Sequence, residues 1–329
     1  MKDSKIYENI FEAIRFFEPT HPILDHPDTP GGLVRHQNFT LMGMEDGTVG
    51  AFALNWNMNY YRGENKDFPS CKPILYRITD WAERVICQIK AWDFILFLQE
   101  IPEIKAKIAQ KEYIDFWALA QHYEFPTAML DLTNDIMVAA FFAVHYIDPV
   151  TKQFAIKEDG LGQIRSYTGF CIPDGKLRPI GLQPLARPGL QSGFGLWLSE
   201  GEDLADQCVT VRFRHSKEAN EEFRQSILGG PNMFMPKEPI GELAERIQKT
   251  NVVTRMAMKK YCEENGEDVD KIEQMLCAKG IYLADAPIVC WEMLKSLLVL
   301  YSMHIVRGRM SGNNQKNVAD YVSDVKGGI

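Results

Sequence analysis

The sequence predicts an α+β fold, and three observations predict it. Residues 116–143, FWALAQHYEFPTAMLDLTNDIMVAAFFA, read as a helix-like segment that runs into Pro126, then a short strand, then at once an apolar helix. The middle third offers short strands at Gln163–Thr168, Gly193–Leu198 and Cys208–Phe213, interrupted by a Pro/Gly-rich segment from Ile172 to Gly189. The last third reads as helices over 240–262, 267–279 and 287–306, with Gly280 as a C-cap and Pro287 near an N-terminus.

Taken in order, residues 5–17 place Ile6, Ile10, Ile14 and Phe17 on one stripe of an amphipathic helix. The turn-rich HPILDHPDTPGG follows, so residues 1–50 are expected to form an N-terminal extension to a main domain over 51–306, with a polar tail over 307–329. Candidate strands lie around Leu33–Leu41 and Gly50–Trp56, the second leading towards Arg62. Asp80 and Glu83 form a capping pair for a helix that carries Trp81, Val85, Ile89, Trp92 and Leu96 on its buried side and ends near Pro102. In the central unit, a period of two puts Thr127, Met129, Asp131 and Thr133 on one strand face and Ala128, Leu130 and Leu132 on the other. A polar row therefore faces something other than core. Thr133 or Asn134 can cap the next helix, whose residues Ile136–Val144 are apolar all round and so should be buried, holding the strand rigid.

Composition narrows the function classes. With 329 residues, 46% of them hydrophobic, the chain can bury a large core without disulfides or metals. Its 36 basic and 44 acidic residues give a net charge of -8, which argues against broad attraction to nucleic acid. The seven cysteines are scattered without CxxC pairs, so a reducing cytoplasm is expected and a structural zinc is not. The start MKDSKIYENIFEAIRFF carries acidic residues and no long apolar run, so neither signal peptide nor membrane anchor is expected. Walker loops, Gly-x-Ser-x-Gly elbows and His-Glu-x-x-His clusters are absent from the sequence.

Several residues carry chemistry in their own right. Arg62, at a strand end and followed by Gly63, suits bidentate recognition of a phosphate or carboxylate, with the glycine admitting another backbone or a ligand. Asp131, just ahead of a helix, reads either as a cap or as a catalytic carboxylate. His122 reads as an acid/base or as a fixed structural histidine, and Tyr123 as a stacking platform or as core. Glu200-Gly201-Glu202 lies in a Ser/Gly/Glu-rich turn and reads as a solvated loop.

Two blocks, YRGENKDFPSCKPILYR from Tyr61 to Arg77 and QHYEFPTAMLDLT from Gln121 to Thr133, resemble the defining segments of the FRG domain family. A weaker match is Arg187, Gln191 and Gly193 in RPGLQSGFGLW. Ala128 stands where the family usually has arginine, and Glu124 where it usually has glycine. The family in turn resembles the Arg-Ser-Glu class of ADP-ribosyltransferases. That resemblance implies a mixed, split β-sheet flanked by helices, NAD as substrate, no metal, no membrane and a macromolecular acceptor, in a toxin or defence setting. It implies that Arg62, in the triplet Tyr61-Arg62-Gly63, grips the NAD phosphate and ribose, and that Thr127, Asp131 and Thr133 hold the nicotinamide half, with nicotinamide or adenine as the group that Tyr123 would stack on if it is not core. Gln191 takes the third-strand position, where it can hydrogen-bond a ribose hydroxyl. Cleavage of the nicotinamide–ribose bond develops positive charge on the ribose, and a nearby anion lowers that barrier. Gln191 cannot supply negative charge, whereas Asp131 can. The alternative is a non-catalytic module that binds nucleotide or phosphate in a degenerate site.

Overall fold

A computed structural model describes residues 2–19, 39–53, 58–151, 153–169, 176–227, 234–235 and 238–287. The elements run β1 (Lys2–Tyr7), α1 (Ile10–Phe17), β2 (Phe39–Gly43), β3 (Val49–Ala53), β4 (Asn59–Glu64), α2 (Trp81–Glu100), α3 (Pro102–Ala109), α4 (Phe116–His122), β5 (Met129–Thr133), α5 (Ile136–Val144), β6 (His145–Ile147) and β7 (Phe154–Ile156). They continue with β8 (Leu161–Thr168), β9 (Leu177–Pro179), α6 (Ala186–Leu190), β10 (Gly193–Trp197), β11 (Val209–Arg214), α7 (Lys217–Ser226), α8 (Pro239–Lys249), β12 (Val252–Thr254), α9 (Arg255–Asn265), α10 (Val269–Ala278) and β13 (Tyr282–Ala284). Among the described residues no helix is long and apolar enough to cross a membrane.

The chain divides into two compact units, one made of Met1–Leu41, Ala51–Ala91 and Ile114–Lys237, the other of Met42–Gly50, Trp92–Tyr113 and Glu238–Ile329. This differs from the expected extension over 1–50 and domain over 51–306. β1 pairs in parallel with β11, and Ile10, Ala13 and Ile14 of α1 are fully buried in the same core as α5, so the start of the chain is built into the first unit. The helix expected over 5–17 begins only at Ile10, because Asn9 caps it by accepting from Glu12 N and Ile6 is spent on strand pairing with Arg212.

The first unit is organised by a seven-stranded sheet of order β1-β11-β8-β4-β5-β10-β9. The β1–β11 pair is parallel and the other pairs are antiparallel, so the sheet is mixed. Alternation sorts its two faces. Tyr61, Ile164, Val211 and Phe213 turn towards α1 and α5, whereas Tyr60, Tyr167, Leu130, Leu132, Phe194 and Cys208 share a second cluster. The predicted parity of the central strand holds: Met129 packs with Ala118 and Ile180, away from Leu130 and Leu132.

β4 and β8 pair over six positions, from Asn59↔Thr168 to Glu64↔Gln163, but β4 and β5 register at one pair only, Tyr61↔Thr133. Beyond that pair the two central strands part. α5 fills the space above. Seven of its nine residues are buried, as its all-round apolar sequence requires, and it lies so close to β4 that a Cβ on Gly63 would sit 1.7 Å from Ala139 O. Gly63 is therefore a packing glycine. Its missing side chain admits the backbone of α5. The cap of α5 is Asp135, which accepts from Met137 N at 2.8 Å; Thr133 instead accepts from Asp135 N, and Asn134 is bypassed.

Other differences are local. Asp80 caps α2 by accepting from Ala82 N, yet Trp81 is exposed and the fully buried positions of this helix include Ile89, Ala91, Phe94 and Leu98, a wider arc than the predicted stripe. In the second unit the helix expected over 240–262 is two helices, broken by β12, which pairs in parallel with β13. The β-branched run Val252–Thr254 favours the strand. Thr254 then caps α9, and the buried Asp93 carboxylate accepts from both its N–H and its hydroxyl. α10 ends at Ala278, with Gly280 two residues on at φ +71°. The expected tail over 307–329 lies outside the described residues, as do the expected helix over 287–306 apart from Pro287, and residues 20–38.

Gly63→Ala should destabilise the protein by about 3 kcal/mol or more, since the clash is with backbone that cannot step aside. Urea denaturation followed by tryptophan fluorescence measures this, and an unchanged midpoint would contradict the packing described.

Candidate active site

Where β4 and β5 part, a cavity of about 550 Å³ opens, within the range of small-molecule sites. Its lining draws on both faces of the sheet: Val138, Ala139 and Phe142 of α5 on one side, Phe68, Ile74 and Arg77 on the other, with Arg62, Glu64, Asp131 and Thr133 between them. Gln121, His122, Glu124, His145 and Gln191 add to the polar part of the wall.

The floor is ionic. Register places Arg62 directly opposite Arg165 on β8, and Thr210 of β11 on the far side of Arg165. Two like charges facing each other across a ladder repel. Glu64 resolves the conflict: one carboxylate oxygen takes Arg62 Nε at 3.3 Å, and the other takes Arg165 Nε at 2.9 Å and Gln163 Nε2 at 2.7 Å. Arg165 is 1% exposed and spends three more of its donors on Phe68 O, Thr210 Oγ1 and Cys208 Sγ. Arg62 Nη1 donates to Asp131 O at 2.9 Å, so a side chain bridges the strands where backbone pairing has ended. Burial opposes the charge on Arg62, but Glu64 leads the surrounding groups that overcome it, and its pKa lies above the ordinary arginine value. Arg77 moves the other way. Burial and then the positive charge of Arg62 lower its pKa, which is the signature of two guanidinium groups facing one space.

The polar row predicted for the central strand divides in two. Asp131 Oδ2 accepts from Gln121 Nε2 at 3.1 Å, and Oδ1 is buried with no hydrogen-bond partner among the described residues. Asp131 therefore does not cap α5. Thr127, 1% exposed, is engaged inside the protein: its hydroxyl donates to Gln121 Oε1 and accepts from Met129 N, and it does not line the cavity. Thr133 lines the cavity but donates to Gln191 O at 2.7 Å. Gln191 sits at the C-cap of the short helix α6, ahead of β10 rather than on it, and its Nε2 donates to Phe234 O at 2.9 Å.

His122 closes α4 and is buried; its Nε2 is another atom without a partner, and burial lowers its pKa. Tyr123 is buried outside the cavity, with the guanidinium of Arg187 4.4 Å from its ring centroid. Arg187 also donates to His122 O at 3.0 Å, so it secures the end of α4. Glu124 has φ +70°, a left-handed conformation that glycine adopts without strain. Glu200 and Glu202 are away from the cavity, paired with Arg84 and Lys176 respectively.

Residues 57–152 match the family model of the FRG domain. The FRG match runs from the approach to β4 through α5, and so contains both motif blocks, Arg62, Glu64, Gln121, Asp131 and the packing pair Gly63–Ala139. The segment with Arg187 and Gln191 lies beyond it. No curated protein and no solved structure matches the chain.

The cavity and the ionic cluster beneath it also involve residues that sequence reasoning did not single out. Glu64 and Arg165 escaped because their significance is a cross-strand register, which no local pattern displays. His145 escaped because it stands alone after an apolar helix. Its Nδ1 pairs with Phe141 O at 2.9 Å, its Nε2 lacks a partner, and burial brings its pKa down to about 4. No group of three or more His, Cys, Asp or Glu side chains among the described residues has the geometry to hold a metal ion.

Two measurements follow from these placements. Glu124→Gly should raise stability by about 0.5–1 kcal/mol, as the relief of left-handed strain exceeds the added freedom of the unfolded chain, and a thermal melt reads the difference. The unfolded chain protonates histidine near pH 6.5 while folded His145 resists until about 4, so between these values the unfolded state binds more protons and stability falls as pH falls. Burial lowers the His122 and His215 pKa values in the same direction. Urea midpoints at pH 7 and pH 5 should therefore differ, and His145→Phe should flatten the slope by about 1.4 kcal/mol per pH unit; an unaltered slope would remove His145 from the account.

Proposed function

We propose that the cavity binds NAD and breaks its nicotinamide–ribose bond, on a scaffold like that of the ADP-ribosyltransferases. One observation carries this reading: Arg62, and the Asp131–Thr133 end of β5, which are 69 residues apart in sequence at the Arg62–Asp131 contact, line the same cavity in the split of the sheet. In this reading the diphosphate lies against Arg62 and Arg77, and the ribose lies beside Asp131. The C–N electron pair departs with nicotinamide, and positive charge grows on the ribose carbon. Asp131 lines the cavity with its Oδ1 unpartnered among the described residues, and its negative charge stabilises that carbon electrostatically. Water or a nucleophile of a macromolecular acceptor then forms the new bond to that carbon and releases its proton to solvent. His122, held neutral by burial, serves as a hydrogen-bonding group beside the reaction and not as a second positive charge.

A non-catalytic nucleotide-binding module is the second reading. The observation favouring it is that β10 brings no carboxylate to the cavity, and that Gln191 is committed to Phe234 O.

Nicotinamide release from NAD by the purified protein separates them. Turnover by the wild type, reduced about 100-fold in Asp131→Asn and accompanied by a raised KM in Arg62→Lys, with folding intact by circular dichroism, is the expected result. Absence of release together with measurable ADP-ribose binding would favour the module, and absence of both would remove the nucleotide from the proposal.

A further inference from the structure

We infer that Thr127 and Gln121 form a two-step relay that orients the Asp131 carboxylate at the cavity wall, so that one oxygen is held by Gln121 and the other has no partner among the described residues. This rests on the proposed reaction. A glutamine amide is ambiguous by itself, since either end can face a carboxylate's surroundings, and only its NH2 end stabilises the anion. The acceptor-only carboxylate takes the NH2 end, and Thr127 holds the other end of the amide in place. Its hydroxyl donates to Gln121 Oε1 at 2.5 Å and accepts from Met129 N at 3.2 Å, so the strand backbone anchors the amide through Thr127. Gln121 Nε2 then has its direction set and donates to Asp131 Oδ2 at 3.1 Å. Oδ1 keeps its lone pairs.

The relay is well insulated. Thr127 is 1% exposed and Gln121 7%, so the Thr127–Gln121 link is buried, while the Gln121–Asp131 link lies at the cavity wall. The two residues are also fixed to different elements. Gln121 is on the last turn of α4, and Thr127 directly precedes β5 after the Pro126 break. The turn between them therefore holds the helix and the strand in one relation, and the left-handed Glu124 lies within it. Thr127, which the family resemblance would place against nicotinamide, acts instead as a positioning residue one step behind Gln121.

Thr127→Val keeps the shape and removes the hydroxyl, whereas Thr127→Ser keeps the donor. With nicotinamide release as readout, Thr127→Val and Gln121→Leu should lower kcat roughly tenfold with KM nearly unchanged, because the carboxylate's orientation matters only as charge develops. Thr127→Ser should recover most of that loss. In parallel, 15N-glutamine labelling reports the Gln121 side-chain NH2 directly. Its carboxylate-bonded proton should be shifted downfield in the wild type and in Thr127→Ser, and should lose that shift in Thr127→Val. If the wild type releases no nicotinamide, the enzymatic reading fails, and the NH2 signal alone decides the relay. A Thr127→Val protein with the wild-type NH2 signal, or with the same kcat as Thr127→Ser, would overturn it.

Discussion

The absence of a Cβ at residue 63 is the constraint on which the rest of the first unit depends. A helix cannot approach a strand to within hydrogen-bonding distance of its backbone unless the strand offers glycine at the crossing point. With Ala139 O where a side chain would begin, α5 is set deep against β4. The strand that feeds α5 is β5, only two residues upstream, so the depth of the helix also limits how β5 can lie beside β4. Their pairing is confined to Tyr61↔Thr133, and the cavity occupies the space beyond it. A packing requirement at one residue and an opening in the sheet are thus two consequences of a single close contact.

Opening a sheet at its centre leaves backbone groups without ladder partners, and it brings side chains from both faces into one space. Arg62 answers the first problem by donating to Asp131 O. It can do so only if its guanidinium is held, because a free arginine there would sample many rotamers at an entropic cost. Glu64 and Arg165 supply the hold. The price is a buried charge cluster, and such clusters are tolerated when every member is hydrogen-bonded. Arg165 meets this condition through Glu64, Phe68 O, Thr210 and Cys208. Gln163 donates to Glu64 through its amide nitrogen while its Oε1 lacks a partner, so the cluster is tightly but not completely satisfied.

Much of this was legible in the sequence, and what was not shares a cause. The alternation of 127–133 gave the right parity because a short strand between two sheet faces obeys a period of two whatever its neighbours. The burial of Ile136–Val144 was legible because a helix apolar on all sides has no solvated face to offer. Glycine at 63 was legible as a place of close approach, but not what approaches, since a ligand and a helix backbone ask the same thing of a residue without a side chain. Arg165 and Glu64 were invisible, being 101 residues apart and related only through strand register. The break at Val252–Thr254 was missed because its apolar residues fit a helical stripe too, and a strand partner thirty residues on decided between them.

Glu124 and Thr127 show how one short turn fixes the geometry on which the site depends. The turn from α4 to β5 needs a left-handed residue at 124, and glutamate adopts it at a cost of about 1 kcal/mol because the surrounding structure leaves no other path. That path is fixed at both ends. Tyr123 N and Phe125 N both donate to Ala120 O, which ties the turn to the last carbonyls of α4, and Thr127 ties it to Gln121. Strain at one residue is balanced by hydrogen bonds that would be lost if the turn relaxed. The same bonds set the position from which Gln121 reaches Asp131, so the strained turn and the orientation of the carboxylate stand or fall together. A substitution that relieves the strain without disturbing those bonds leaves the site intact, whereas one that breaks the Thr127 link moves the carboxylate while leaving the fold in place.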